Sequence, residues 1–202
     1  MKGLRIKNIT SSTFNKLSFD FPATGLYGLI GKNGVGKSTL FTIINGETEI
    51  KQNEKYLSVG GVAYIPDLNI FDKNLSANDY LKLLSSSERT TFESSLKLMG
   101  GSDFLSRRIS SYSLGMKELF ALLYLLSLQR EVVILDELID GLDEQKRFKA
   151  YDLLKKHSRN KLILLTSHNL SEVFENCDRV YLLKESSLVE VGSLSEAHSI
   201  IN

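Results

Sequence analysis

Gly31-Lys32-Asn33-Gly34-Val35-Gly36-Lys37-Ser38-Thr39 fills the pattern G-x-x-x-x-G-K-[ST], and its two flanks decide how it folds. Upstream, Leu26-Tyr27-Gly28-Leu29-Ile30 is an apolar run of strand length; downstream, Ser38 to Asn45 reads as a helix that Gly46 is placed to end. A strand, a glycine-rich turn and a helix in that order are the context in which this pattern cradles phosphate. The glycines let the backbone curl so that successive amide N–H groups face one anion. The helix adds its positive dipole end at the same point. Lys37 is placed to reach the β- and γ-phosphates of a nucleotide, and the Ser38 hydroxyl to ligate Mg²⁺. The stretch alone predicts NTP binding, with Gly31, Asn33, Gly34, Val35, Gly36, Lys37, Ser38 and Thr39 as its contacts.

Outward from this loop, strand signals come first. Leu4 and Ile6, then Leu17, Phe19 and Phe21 in alternation, predict two edge or hairpin strands, with Pro22 and Gly25 turning the chain toward the P-loop strand. Residues 47–55 are polar and unpatterned, and Val59 to Ile65 predicts a strand stopped by Pro66 and Asp67. The pattern then turns helical. Ser76 with Asp79 resembles a capping box ahead of an apolar face of Leu75, Leu81, Leu83 and Leu84. A second helix is predicted from Glu88 to Met99, ended by Gly100-Gly101, and a third from near Ser113 that carries Leu119 to Leu128.

Strand signals return at Val132 to Leu135 and at Leu162 to Leu165, around a predicted helix from Glu144 to His157. Val180 to Leu183 and Leu188 to Val191 predict a closing hairpin. This order predicts an α/β fold: a P-loop NTPase core with a mainly parallel sheet, a small N-terminal antiparallel β part and an inserted helical subdomain. The expected division is a single domain over residues 1–202, its core at about 1–66 and 131–202 and its helical subdomain at about 67–130.

Composition narrows the function classes. A 202-residue chain with 42% hydrophobic residues can bury a sizeable core. A formal net charge of +1 gives no general attraction to nucleic acid or an anionic membrane surface, so no nucleic acid partner is expected. The single cysteine, Cys177, cannot form an internal disulfide, and Met1 to Lys7 lacks the apolar core of a signal peptide, so a cytoplasmic location is expected. The longest apolar run, Leu119 to Ser127, is too short to span a bilayer and reads as a buried helix.

Chemistry concentrates at predicted strand ends. Parallel sheets bind ligands at the carboxyl ends of their strands, and Asp136-Glu137 closes the run Val132 to Leu135 there. Asp136 is suited to hold Mg²⁺ through its water shell, and Glu137 to polarise a water in line with the γ-phosphorus. The alternative is a pair capping the next helix. His168 ends the following strand, where it either senses a γ-phosphate or is structural. His157 and His198 read as surface residues. Ser113 followed by Gly115 at a helix start offers a hydroxyl and free N–H groups to an anion, or else merely caps its helix.

Taken in order, the P-loop, Tyr112-Ser113-Leu114-Gly115-Met116-Lys117, Asp136-Glu137, Gly141-Leu142-Asp143 and His168 resemble the nucleotide-binding ATPase subunits of ABC transporters over nearly the whole chain. The tail from Ser171 through Cys177-Asp178-Arg179-Val180 to Val191-Gly192 resembles the family's closing segment. The resemblance implies an ATP- and Mg²⁺-dependent hydrolase working as a head-to-tail dimer. Each ATP would lie between the P-loop of one subunit and the signature, Ser113 and Gly115, of a second ATPase subunit, with Asp143 communicating across the interface. Catalysis would fall to Glu137, His168 and Lys37, with Ser38, Asp136 and Asp67 at the metal. The subunit would sit on the inner face of the cell membrane through a membrane-spanning transporter chain.

Several positions depart from the family pattern. Leu114 and Met116 replace the signature's first Gly and its Gln, a form resembling bacterial drug and antimicrobial-peptide transport subunits. Asp67 stands for a glutamine, and Leu138 for a proline. Phe14 is the nearest candidate to stack on adenine, but its spacing with Leu17 fits a core strand. The short stretch between Lys37 and Asp67 implies a reduced β-subdomain. Two rival readings are a weakly hydrolysing, nucleotide-gated regulatory or immunity subunit and a DNA-repair ATPase; the second lacks its usual coiled-coil insertion here.

Overall fold

Central strands buried on both faces sort the molecule into layers. The computed structural model describes residues 4–47, 61–101 and 104–201. Eight strands are present among these: β1 (Arg5–Ile9), β2 (Leu17–Asp20), β3 (Gly25–Ile30), β4 (Val62–Tyr64), β5 (Val132–Asp136), β6 (Leu162–Thr166), β7 (Arg179–Lys184) and β8 (Ser187–Val191). β1 and β2 pair antiparallel on their own. The other six form one sheet in the order β4-β5-β6-β3-β7-β8. It is parallel throughout except for the β7–β8 hairpin.

Central strands are buried on both faces, which is why they read as continuous apolar runs. Successive residues still go to opposite sides. Tyr27 and Leu29, Val132 and Ile134, and Leu162 and Leu164 share one core with β1, β2 and helix α1 (Lys37–Ile44). Leu26, Val133, Leu135, Ile163 and Leu165 face the opposite way. They pack with α3 (Ser86–Leu98), α4 (Leu114–Ser127) and α5 (Glu144–Ser158). A third cluster joins Ile30, Val180 and Leu182 to α6 (Leu170–Asn176) and α7 (Leu194–Ile201). A Cβ at Gly28 would lie 2.4 Å from Val173 Cγ1, so this glycine sets how closely α6 approaches β3.

Between β4 and β5 the described residues hold helices and no named strand. The capping box of Ser76 and Asp79 is formed, but α2 (Ala77–Leu81) has only five residues. Leu83 lies beyond it and is 74% exposed, so the expected four-leucine face is not built. Helix α3 starts two residues before its expected position. Ser85 accepts from the Glu88 amide, and the Glu88 carboxylate accepts from the Ser85 amide, closing a second capping box. The expected strand from Val59 is described only from Val62, and its first residues lie outside the described ones, as does most of the expected reduced β-subdomain. Helices α6 and α7 carry signals too short for the sequence reading to assign.

His198 is exposed as expected, but His157 is not a surface residue. It is half-buried on α5, with its Nε2 3.4 Å from Ser95 Oγ. Burial, with Lys161 and Lys156 adding their positive charge, pushes the imidazole down to about 4. The unfolded chain titrates near 6.5, so it takes up this proton first, and stability is lost as pH falls from about 6.5 toward about 4. Urea midpoints at about pH 7 and about pH 4.5 should therefore differ less in His157→Gln than in the unsubstituted protein. An equal difference in both would remove His157 from the acid response.

Candidate active site

The nucleotide loop is shaped by what lies beneath it. Gly36 is the N-cap of α1 at φ 107°, in the left-handed region. A Cβ there would meet Thr13 Cγ2 at 2.5 Å and Phe14 Cζ at 2.9 Å. Phe14 is thus a buried floor under the loop, 2% exposed, and not a platform for adenine. Val35 packs on the same core. The Lys37 ammonium donates to the carbonyls of Gly31 at 2.9 Å and Lys32 at 3.3 Å, holding it over the loop.

A cleft of about 390 Å³ brings Asn33, Gly34, Gly36, Lys37, Ser38 and Thr39 together with Glu137 and His168. Residues from three strand ends thus meet at one place, as the parallel register requires. Gly28 pairs with Leu165, and Asp136 with Thr166, so β3, β5 and β6 finish side by side.

Glu137 is aimed by an unusual backbone. Its φ of 53° is left-handed for a residue with a side chain, a conformation that costs on the order of 1 kcal/mol. Its N–H donates to Thr166 Oγ1 at 2.9 Å and to the Thr166 carbonyl at 3.2 Å. The buried side chains of Leu138 and Ile139 anchor the next two residues. The Glu137 carboxylate then lies 3.2 Å from His168 Nε2, and both side chains remain substantially exposed. Neither acid of the pair caps a helix: α5 starts at Glu144 with Asp143 as its N-cap.

Asp136 sits beside this arrangement at the end of β5. Thr166 Oγ1 donates to its Oδ1 at 2.7 Å, and the Tyr64 hydroxyl donates to Oδ2 at 3.4 Å. Burial, and then the Asp136 carboxylate, push the Tyr64 phenol far above its usual range and keep it a donor. Asp67 is placed differently. Its carboxylate accepts from the Asn69 amide at 2.8 Å and from Asn69 Nδ2 at 2.9 Å, capping the 3-10 turn Leu68–Ile70. These bonds hold it below the usual carboxylate range. Asp67 is not among the residues lining the cleft, and neither is Asp136, the other acid expected at the metal.

Ser113, Gly115 and Asp143 line a second cleft, of about 540 Å³, that shares no residue with the first. Ser113 is the N-cap of α4 and accepts from the Met116 amide at 3.3 Å, so the helix-cap reading is realised in the subunit by itself. Asp143 accepts from the Lys146 amide at 2.9 Å and pairs with its ammonium at 2.7 Å. Sequence reasoning missed Thr166, Tyr64, Asp140 and Glu118. The first two flank strand ends next to Asp136-Glu137, which was the available signal. Asp140 and Glu118 are acids in segments assigned for other reasons.

A phosphate-binding loop on a mainly parallel sheet, with an acid pair at the neighbouring strand end, defines a P-loop NTPase. The family model described as ABC transporter matches residues 14–140. The chain belongs to that family, as one of its ATP-binding cassettes, which are ATPases coupled to transport. It is 29% identical to the bacitracin transport ATP-binding protein BcrA of Enterococcus faecalis, over 93% of this chain and 67% of BcrA. It is 30% identical to a putative ABC transporter ATP-binding protein of Listeria monocytogenes, over 89% of this chain and 75% of the relative. A solved ATP-binding subunit of an ABC transporter shares the fold at a TM-score of 0.84 and 22% identity, covering 98% of this chain and 93% of that one.

Thr166 Oγ holds both acids of the pair, so Thr166→Val should disturb hydrolysis more than binding. ATP turnover should fall about tenfold or more while ATP affinity stays within about twofold, since one net hydrogen bond to a charged group is worth 1.5–3 kcal/mol or so. Steady-state kinetics beside calorimetric titration of ATP checks this; an equal loss in both would place Thr166 in the binding surface instead.

Proposed function

We propose that this chain hydrolyses ATP between two head-to-tail ATPase subunits and passes the resulting motion to separate membrane-spanning chains, on the cytoplasmic face of the membrane. The observation that carries the reading is the separation of the two clefts. One holds the P-loop with Glu137 and His168, and the other holds the N-terminus of α4 with Ser113 and Gly115. A helix start that offers N–H groups is suited to bind an anion, and a second subunit's nucleotide would supply one. The relative BcrA, named for bacitracin transport, supports a transport role. No helix among the described residues is long and apolar enough to cross a membrane.

In the proposed reaction the P-loop amides and Lys37 bind the phosphates and stabilise charge that develops on the phosphoryl group. Glu137 accepts a hydrogen bond from the attacking water and orients it in line with the γ-phosphorus. His168, beside Glu137, contacts the γ-phosphoryl oxygens. The Ser38 hydroxyl and Asp136 form an all-oxygen donor set that fits a hard cation, and each Asp136 oxygen keeps lone pairs beyond the single bond it accepts. Mg²⁺ held there would neutralise phosphate charge. Phe14 is core, so adenine is held by other contacts.

Glu137→Gln should keep ATP affinity within about threefold and lower turnover at least about a hundredfold, the scale of a lost general base. Turnover at the unsubstituted rate would refute the role. Lys37→Ala should weaken ATP binding itself, and unchanged affinity by calorimetry would take Lys37 out of the phosphate site.

A further inference from the structure

Between the two clefts runs a short bridge, the dipeptide Asp140-Gly141. On one side the Asp140 carboxylate accepts from Ser167 Oγ at 2.6 Å and from the His168 amide at 2.9 Å. On the other, the Gly141 amide donates to Glu118 Oε2 at 2.8 Å, and Glu118 belongs to α4, the helix that Ser113 starts. We propose that Glu118 and Asp140 are positioning residues that link the signature cleft to His168 within one subunit, through the Asp140-Gly141 backbone. The proposal deepens the reading above and rests on its assignment of His168 to the γ-phosphoryl group.

Three observations carry it. First, the docking of α4 on the bridge is close at two points. A Cβ at Gly115 would lie 2.8 Å from the Gly141 carbonyl oxygen, and a Cβ at Gly141 would lie 2.6 Å from Glu118 Oε1. Neither side can move closer without displacing the other. Second, Glu118 is 5% exposed, a costly place for a carboxyl group. Burial pushes it up to about 7; the Gly141 amide works against this and the nearby Asp140 adds to it. Packing alone would be served as well by an apolar residue, whereas an acceptor for the Gly141 amide would not. Third, one of the two Asp140 bonds comes from the His168 backbone amide, and the His168 ring meets Glu137 at 3.2 Å. An anion that draws the start of α4 toward it therefore pulls on the bridge, and the bridge sets where His168 stands.

Two measurements on the full chain test the link. In amide NMR spectra, Glu118→Ala should shift the signals of Gly141, Ser167 and His168, and Glu118→Gln, which keeps a carbonyl acceptor, should restore most of the His168 position. Shifts that stop at Gly141, or equal shifts from Ala and Gln, would overturn the proposal. In ATPase assays Glu118→Ala and Asp140→Ala should each lower kcat about tenfold with KM for ATP within about twofold. The double variant should be no slower than Asp140→Ala, because the link is already cut; losses that multiply would overturn the proposal. The parent reading fails separately, through a Glu137→Gln variant that turns over normally, and the NMR arm is independent of turnover.

Discussion

The register between β5 and β6 is the constraint on which the site depends. Asp136 pairs with Thr166 at the ends of the two strands, and the Thr166 hydroxyl donates to Asp136 while accepting from the Glu137 amide. A slip of one residue would turn the slipping strand inside out, sending Ile134 of β5 or Leu164 of β6 to the wrong core. Burial of these strands on both faces therefore fixes the register, and the register fixes the acids. The left-handed turn at Glu137 is affordable because Leu138 and Ile139 are buried on its far side. Core packing thus holds the Glu137 carboxylate in a conformation that its own backbone disfavours.

The same economy governs the helix starts. Helix α1 opens at Gly36 with no side-chain cap bond, leaving its amide end to the cleft it faces. Helix α4 opens at Ser113, whose hydroxyl makes one bond at 3.3 Å to the Met116 amide. Helix α5 is closed by Asp143 with two bonds to Lys146. The uncapped end lies at the nucleotide loop, and the end capped by Asp143 lies at the second cleft, so the two clefts present unlike helix starts.

Most of the sheet was legible in the sequence, because central parallel strands carry short apolar runs that end in polar groups. Val132 to Leu135 and Leu162 to Leu165 each fell one residue short of the observed strand, at Asp136 and Thr166, where a polar residue looks like a loop. The P-loop and the acid pair were legible as motifs, although the cap reading of Asp136-Glu137 stayed open until α5 was seen to start at Glu144. Helical boundaries were less legible: Leu83 matches an apolar face by spacing but follows a five-residue helix. Burial of His157 could not be read because it depends on α3, which covers it from 62 positions away in sequence at Ser95. The Asp67 bonds to Asn69 and the Glu118 contact with Gly141 are likewise conformational facts, one local and one between distant segments.

The central claim is that the P-loop cleft and the signature cleft bind the same ligand from opposite sides of two subunits. Hydrogen exchange of Glu137→Gln with ATP and Mg²⁺, followed across protein concentration and with co-purified transporter chains present, tests it most directly. The account predicts that amides of residues 31–39 are protected whenever ATP is bound, whereas those of residues 113–116 gain protection only as subunits associate. Protection of 113–116 in dilute, monomeric protein, or its absence in the assembled transporter, would contradict the claim.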